Sequence, residues 1–175
     1  MLTTLRSVLL LPAALLLLVV TGATPAAAQG PRGNDFGFGI VLGEPLGGTV
    51  KYWTAPDQAF VGSIGGSYFG APRVGVDYLW HFDAFRSQVV KMYAGPGLAV
   101  GFGNGSYYWL YTKHGDYFYV RDPGSTGFAM RVVVGLNIIP RRTPIELFLE
   151  AGPLIGISPA FGAAFDLGLG IRFYP

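Results

Sequence analysis

Between Phe161 and Tyr174 the side chains alternate without interruption. Phe161, Ala163, Phe165, Leu167, Leu169, Ile171 and Phe173 share one parity, and Gly162, Ala164, Asp166, Gly168, Gly170, Arg172 and Tyr174 share the other. Successive side chains of an extended chain point to opposite faces, so this period of two predicts a strand with one continuous apolar face. Three other segments repeat the pattern. Val74, Val76, Tyr78 and Trp80 oppose Gly75, Asp77, Leu79 and His81. Met130, Val132, Val134, Leu136 and Ile138 oppose Arg131, Val133, Gly135 and Asn137. Ile145, Leu147, Leu149 and Ala151 oppose Glu146, Phe148, Glu150 and Gly152.

Alternation alone does not say which face is inside, because a soluble lipocalin-like barrel also alternates, with its apolar face inward. The second face decides. It is built mainly of glycine, alanine and serine, with one or two charges per strand, whereas a water-bathed exterior carries Lys, Glu and Thr at most positions. Charged residues make up 13% of the chain, about half the globular average, too few to cover a soluble surface. After residue 30 no run of 18 apolar residues marks a membrane helix. Only helices and closed barrels satisfy every backbone group inside lipid. The chain is therefore expected to be all-β: a single closed antiparallel up-and-down β-barrel, transmembrane, with small residues and a few charges in a narrow lumen.

Pro- and Gly-bearing breakers divide the chain at Glu44-Pro45-Leu46-Gly47-Gly48, Thr54-Ala55-Pro56-Asp57-Gln58, Gly70-Ala71-Pro72, Pro140-Arg141-Arg142-Thr143-Pro144 and Ser158-Pro159-Ala160. Between them the pattern predicts eight strands, near 35–43, 49–54, 59–69, 73–82, 89–102, 127–139, 145–157 and 161–174. Tyr52, Tyr68, Tyr78 and Trp80 are expected as interfacial aromatics. A turn about Pro159 sets Arg172 opposite Glu146. Ahead of the barrel, Arg6, an apolar Leu9–Val20 stretch broken only by Pro12, and small residues through Ala26-Ala27-Ala28 read as a secretory signal. That stretch is short of the roughly 20 residues a spanning helix needs. The expected organisation is a cleaved signal peptide at 1–28, a short tail at 29–34 and the barrel at 35–175.

The pattern resembles the OmpA/OmpX-type family of small eight-stranded outer-membrane barrels, over the whole segment after the signal. Its most specific part is the closing run Phe165-Asp166-Leu167-Gly168-Leu169-Gly170-Ile171-Arg172-Phe173-Tyr174-Pro175. Such proteins end on alternating apolar residues with a terminal aromatic read by the barrel-assembly machinery. Phe173 fits that role, and Tyr174-Pro175 follow it. The resemblance implies residence in the bacterial cell outer membrane, with outer-membrane lipid and lipopolysaccharide as neighbours and the assembly machinery as a partner during biogenesis. An unidentified extracellular or protein ligand is the further partner to consider. Near-balanced charge gives no reason to expect nucleic acid.

Lys51, Asp77, Lys91, Arg131, Glu146, Glu150, Asp166 and Arg172 are the charges assigned to the lumen, four of each sign. Eight strands leave room for little besides side chains, so an ion-paired structural filling is expected rather than a pore. Glu146 and Glu150 share a face about 13 Å apart along a strand, too far for a paired acid and base. The chain lacks cysteine, which removes disulfides and Cys-based metal sites. Its two histidines, His81 and His114, have Ser87 and Ser106 as their nearest serines, in no recognisable motif. No cofactor, metal or catalytic residue is assigned. Phe36-Gly37-Phe38-Gly39-Ile40-Val41-Leu42-Gly43 lacks the spacing and following helix of a dinucleotide fingerprint. Finally, Tyr107, Tyr108, Trp109, Tyr111, Tyr117, Phe118 and Tyr119 crowd one connection. It reads as a β-hairpin projecting above the rim, its aromatics either a girdle or a contact surface. The expected function is a structural or interaction protein of the outer membrane. The alternatives are a lipid-modifying barrel enzyme, of the lipid A deacylase or acyltransferase kind, and a small porin or carrier for an apolar ligand.

Overall fold

The computed structural model describes residues 34–87, 89–103, 107–112, 115–120, 124–140 and 143–175, with backbone alone for 107–112 and 115–120. The expected signal peptide at 1–28 lies outside them. Ten strands succeed one another: β1 (Phe36–Gly43), β2 (Leu46–Ala55), β3 (Gln58–Ser67), β4 (Gly70–Phe82), β5 (Val90–Gly101), β6 (Tyr107–Thr112), β7 (Gly115–Val120), β8 (Gly127–Ile138), β9 (Ile145–Ser158) and β10 (Gly162–Phe173). Eight of them, all but β6 and β7, form a closed antiparallel up-and-down barrel, with β5 paired to β8 and β1 to β10. Among the described residues there is no helix. Closure leaves the barrel without an exposed edge where β1 and β10 run together.

Two turns sit elsewhere than the breakers predict. β2 begins at Leu46, not 49, because Gly47 belongs to the ladder: it pairs with Gly65, and a Cβ there would overlap the Ile64 carbonyl. Glycine serves close strand approach at that point, not chain reversal. The next outer turn is Tyr68-Phe69 rather than Gly70-Ala71-Pro72. Gly70 already pairs with Ser67, and a Cβ on it would meet the backbone of Gly101.

The apolar parity faces outward. Exposed large apolar side chains come from all eight barrel strands, among them Ile40, Val50, Ile64, Val76, Leu98, Met130, Leu149 and Leu169. On β10 they run from Phe165 to Phe173, preceded by Phe161. The charged parity faces inward, the reverse of a soluble barrel. Three apolar clusters share the interior with it: Trp53, Ala59, Ile139 and Tyr174 at the end holding both chain termini of the barrel; Val61, Leu79, Tyr93 and Val133 midway; Phe69, Ala99, Ala129 and Leu154 at the other end. The lumenal glycines make room for large rings. Tyr93 lies over its cross-strand partner Gly135, and Phe148 over its partner Gly170.

The aromatic connection forms a hairpin, but it does not simply project. β6 and β7 pair from Tyr107 with Val120 to Thr112 with Gly115, and Trp109 of β6 also pairs with Ala163 of β10. The reason is the length of β1, which ends at Gly43 opposite Gly168. The β10 edge above that point has no β1 partner, and an open row of N–H and C=O groups accepts another strand.

Candidate functional site

Alternation on β2, β4, β5, β8, β9 and β10 delivers the charged side chains to a common interior, where they sort into two groups. Near the chain termini, Glu146 of β9 accepts from Lys51 Nζ at 2.8 Å, from Arg172 Nη1 at 3.3 Å and from Asn137 Nδ2 at 3.1 Å. The Tyr174 hydroxyl also donates to it. Arg172 stands directly opposite Glu146 in the β9–β10 ladder. Its Nε and Nη2 donate to Thr49 Oγ1, and its guanidinium lies 3.7 Å from the Phe148 ring centre. Such cation–π contact gains strength when both groups are desolvated.

Toward the other end, Arg131 of β8 sits among three carboxylates: Glu150 at 3.2 Å, Asp77 at 3.4 Å and Asp166 at 3.9 Å. Asp166 is also held by Arg73 through both guanidinium nitrogens, at 2.5 and 3.2 Å, and by the Tyr68 hydroxyl at 2.5 Å. The fork-on-fork geometry of an Arg–carboxylate pair fixes orientation as well as charge. The Tyr93 hydroxyl reaches Glu150 at 3.2 Å. Lys91 stands apart, 3.5 Å from Asp83 in the β4–β5 connection.

Arg73 is absent from the sequence-based set, although it shares the parity of Gly75 and Asp77; reading β4 one residue further toward its start finds it. Tyr68 and Tyr174 are the other omissions. Tyr68 was expected as an interfacial aromatic. Its hydroxyl instead turns inward to Asp166, because the Tyr68-Phe69 turn folds over the barrel mouth with Phe69 fully buried. Burial, then the Asp166 carboxylate, pushes the Tyr68 hydroxyl well above the ordinary tyrosine range. Burial and Glu146 do the same to Tyr174. Both therefore remain protonated donors. Tyr52 and Trp80 are exposed on the outer wall, and Tyr78 packs against Phe60 and Trp80 there.

With Arg73 and Asp83 included, five cations and five carboxylates each have an opposite charge within 4 Å. The lumen charges are at most 9% exposed. His81 lies between the Trp53 and Tyr93 rings, and its Nε2 is 2.9 Å from Lys51 Nζ. An ammonium donating to Nε2 places the ring proton on Nδ1, which has no partner. Ser87 is occupied elsewhere, accepting from the backbone N–H groups of Val89 and Val90. Ser106, His114 and the side chains of the seven hairpin aromatics lie outside the described residues. Among those described, no cluster of His, Asp and Glu has metal-binding geometry. The arrangement can neutralise and rigidify the barrel's interior.

These features define an inside-out eight-stranded barrel with an ion-paired core. Protein-family models, curated proteins and solved structures offer no match to the chain.

Proposed function

We propose that the chain is a bacterial outer-membrane barrel of the small OmpA/OmpX-like kind, a structural or interaction protein rather than an enzyme or a pore. The observation that carries this reading is the outward apolar wall. From Phe161 to Phe173 it covers roughly 40 Å of strand at about 3.3 Å per residue. A tilt of about 45° lowers that to roughly 28 Å, close to the ~25 Å apolar band of outer-membrane barrels. Monomeric soluble proteins rarely expose contiguous apolar patches beyond a few hundred Å².

The ion-paired core supports a sealed barrel. A conducting lumen leaves its lining accessible to water, and the lining here is inaccessible around Lys51, Arg73, Leu79, Tyr93 and Val133. His81 is enclosed by Trp53, Tyr93 and Lys51, a setting that favours a packing role over that of a base beside a hydroxyl nucleophile. The interaction role is assigned to the aromatic hairpin on the outer side, facing lipopolysaccharide or a protein ligand.

Nitroxide scanning of β10 tests the reading, and the cysteine-free sequence makes single labels straightforward. In vesicles, labels at Leu167, Leu169 and Ile171 should be relaxed by oxygen and shielded from a water-soluble nickel complex. Equal access of the nickel complex to these positions would refute a lipid-facing wall.

A further inference from the structure

The outer wall is not uniformly convex. A furrow of about 560 Å³ crosses it obliquely, bordered by Ile40 and Leu42 of β1, Leu169 and Ile171 of β10, and Leu147 and Leu149 of β9. It continues past Ile138 to Val90 at the end of β5, and Gly170 with the Phe148 ring behind it forms part of its floor. The volume is that of a small-ligand site, but such sites place a few polar groups to orient their ligand. This one is lined by apolar residues throughout, so its occupant must be hydrocarbon where it touches the wall.

Length and charge narrow the occupant. The furrow spans the strands β1, β10, β9, β8 and β5, four inter-strand spacings or about 19 Å. One leaflet of a ~30 Å hydrocarbon core gives a chain about 15 Å of depth, so an inclined acyl chain matches. The furrow opens at Val90 and Ile138, at the chain-terminal end of the barrel. The connection that leaves β8 there carries Arg141 and Arg142 in its sequence, and arginine is well suited to phosphate. A second copy of the chain would need a ridge to fill the furrow, and it would leave this polar match unused.

We infer that the furrow seats one acyl chain of a phospholipid, with its phosphate toward the β8–β9 connection. The inference rests on the proposed membrane setting of the wall. The protein would hold one lipid in a fixed place rather than meet only exchanging lipid.

The test uses the full barrel in phosphatidylglycerol-containing vesicles with a diazirine on the acyl chain, followed by peptide mapping of the photoproducts. Labels at Leu42, Leu147 and Leu169 should exceed those at Ile64, Val76 and Leu98, exposed on β3, β4 and β5, several-fold. Leu169→Trp should abolish the excess, whereas Leu98→Trp should leave it. Arg141→Gln with Arg142→Gln should reduce the excess and spare the opposite wall. Uniform labelling of both walls would overturn the seat while leaving the membrane reading standing. Furrow-to-furrow crosslinks between two copies would also overturn it. Absence of label from every wall position would sink the membrane reading itself, and the seat with it.

Discussion

Replacing Glu146 by Gln removes one negative charge from a site where two cations depend on it. Glu146 is fully buried, and so are Lys51 and Arg172 within 3.3 Å of it. The group carries one net positive charge with the carboxylate and two without it. Removing one partner of a buried pair typically costs about 3–5 kcal/mol, because the remaining charge is left uncompensated. Gln keeps one oxygen to accept from Lys51 or Asn137 but turns an amide donor toward the others. The expected loss is therefore about 3 kcal/mol or more. Lys51→Met should cost less, since Arg172, Asn137 and Tyr174 still serve the carboxylate. The double variant Lys51→Met with Glu146→Gln restores the original charge balance and should be more stable than Glu146→Gln alone. The assay is reversible urea unfolding from detergent or vesicles, followed by tryptophan fluorescence. Trp53 lies 4.1 Å from Lys51 Nζ and donates to Tyr174, so it reports this group. A Glu146→Gln loss below about 1 kcal/mol, the worth of an exposed pair, would refute the reasoning. So would a double variant less stable than both single ones.

Four further outcomes are expected. Leu147→Arg, on the outer wall, should cost roughly 2–4 kcal/mol in a bilayer if it sits near the midplane, measured by the same unfolding titration. Gly135→Ala places a methyl against the Tyr93 ring and should cost about 1–3 kcal/mol as overpacking, measured by urea midpoint. Deleting Tyr107 to Tyr119 and joining the ends by Gly-Asn should leave a folded barrel that has lost binding to lipopolysaccharide or a partner. Failure of that variant to fold would make the hairpin part of the barrel, consistent with its bond to β10. Mass spectrometry of envelope material should find an N-terminus at or near Gln29, and an intact Met1 would remove the signal-peptide premise.

The barrel was legible because its outward parity is apolar on strand after strand, and period two survives any error of a few residues at the ends. β10 and β9 pair throughout, down to Arg172 opposite Glu146, as a turn about Pro159 requires. Turn positions were less legible. Glycine marks both a reversal and a close approach between strands, and Gly47 and Gly70 are the second kind. Parity places a charge in the lumen but not its partner. That Arg131 takes three carboxylates while Arg73 and Tyr68 share Asp166 depends on the stagger of non-adjacent strands across the interior. The hairpin's bond to β10 was hidden for a similar reason: it follows from β1 stopping at Gly43, a difference in strand length that local pattern does not weigh.

The central claim, that the apolar wall belongs in lipid, is tested most directly by folding the protein with and without a bilayer. Circular dichroism and sedimentation should be measured on the same preparation in buffer and in lipid vesicles. The account predicts a β-rich, protease-resistant monomer in vesicles, and aggregation or unfolding in buffer. A stable, monodisperse, β-rich monomer in plain buffer would contradict it.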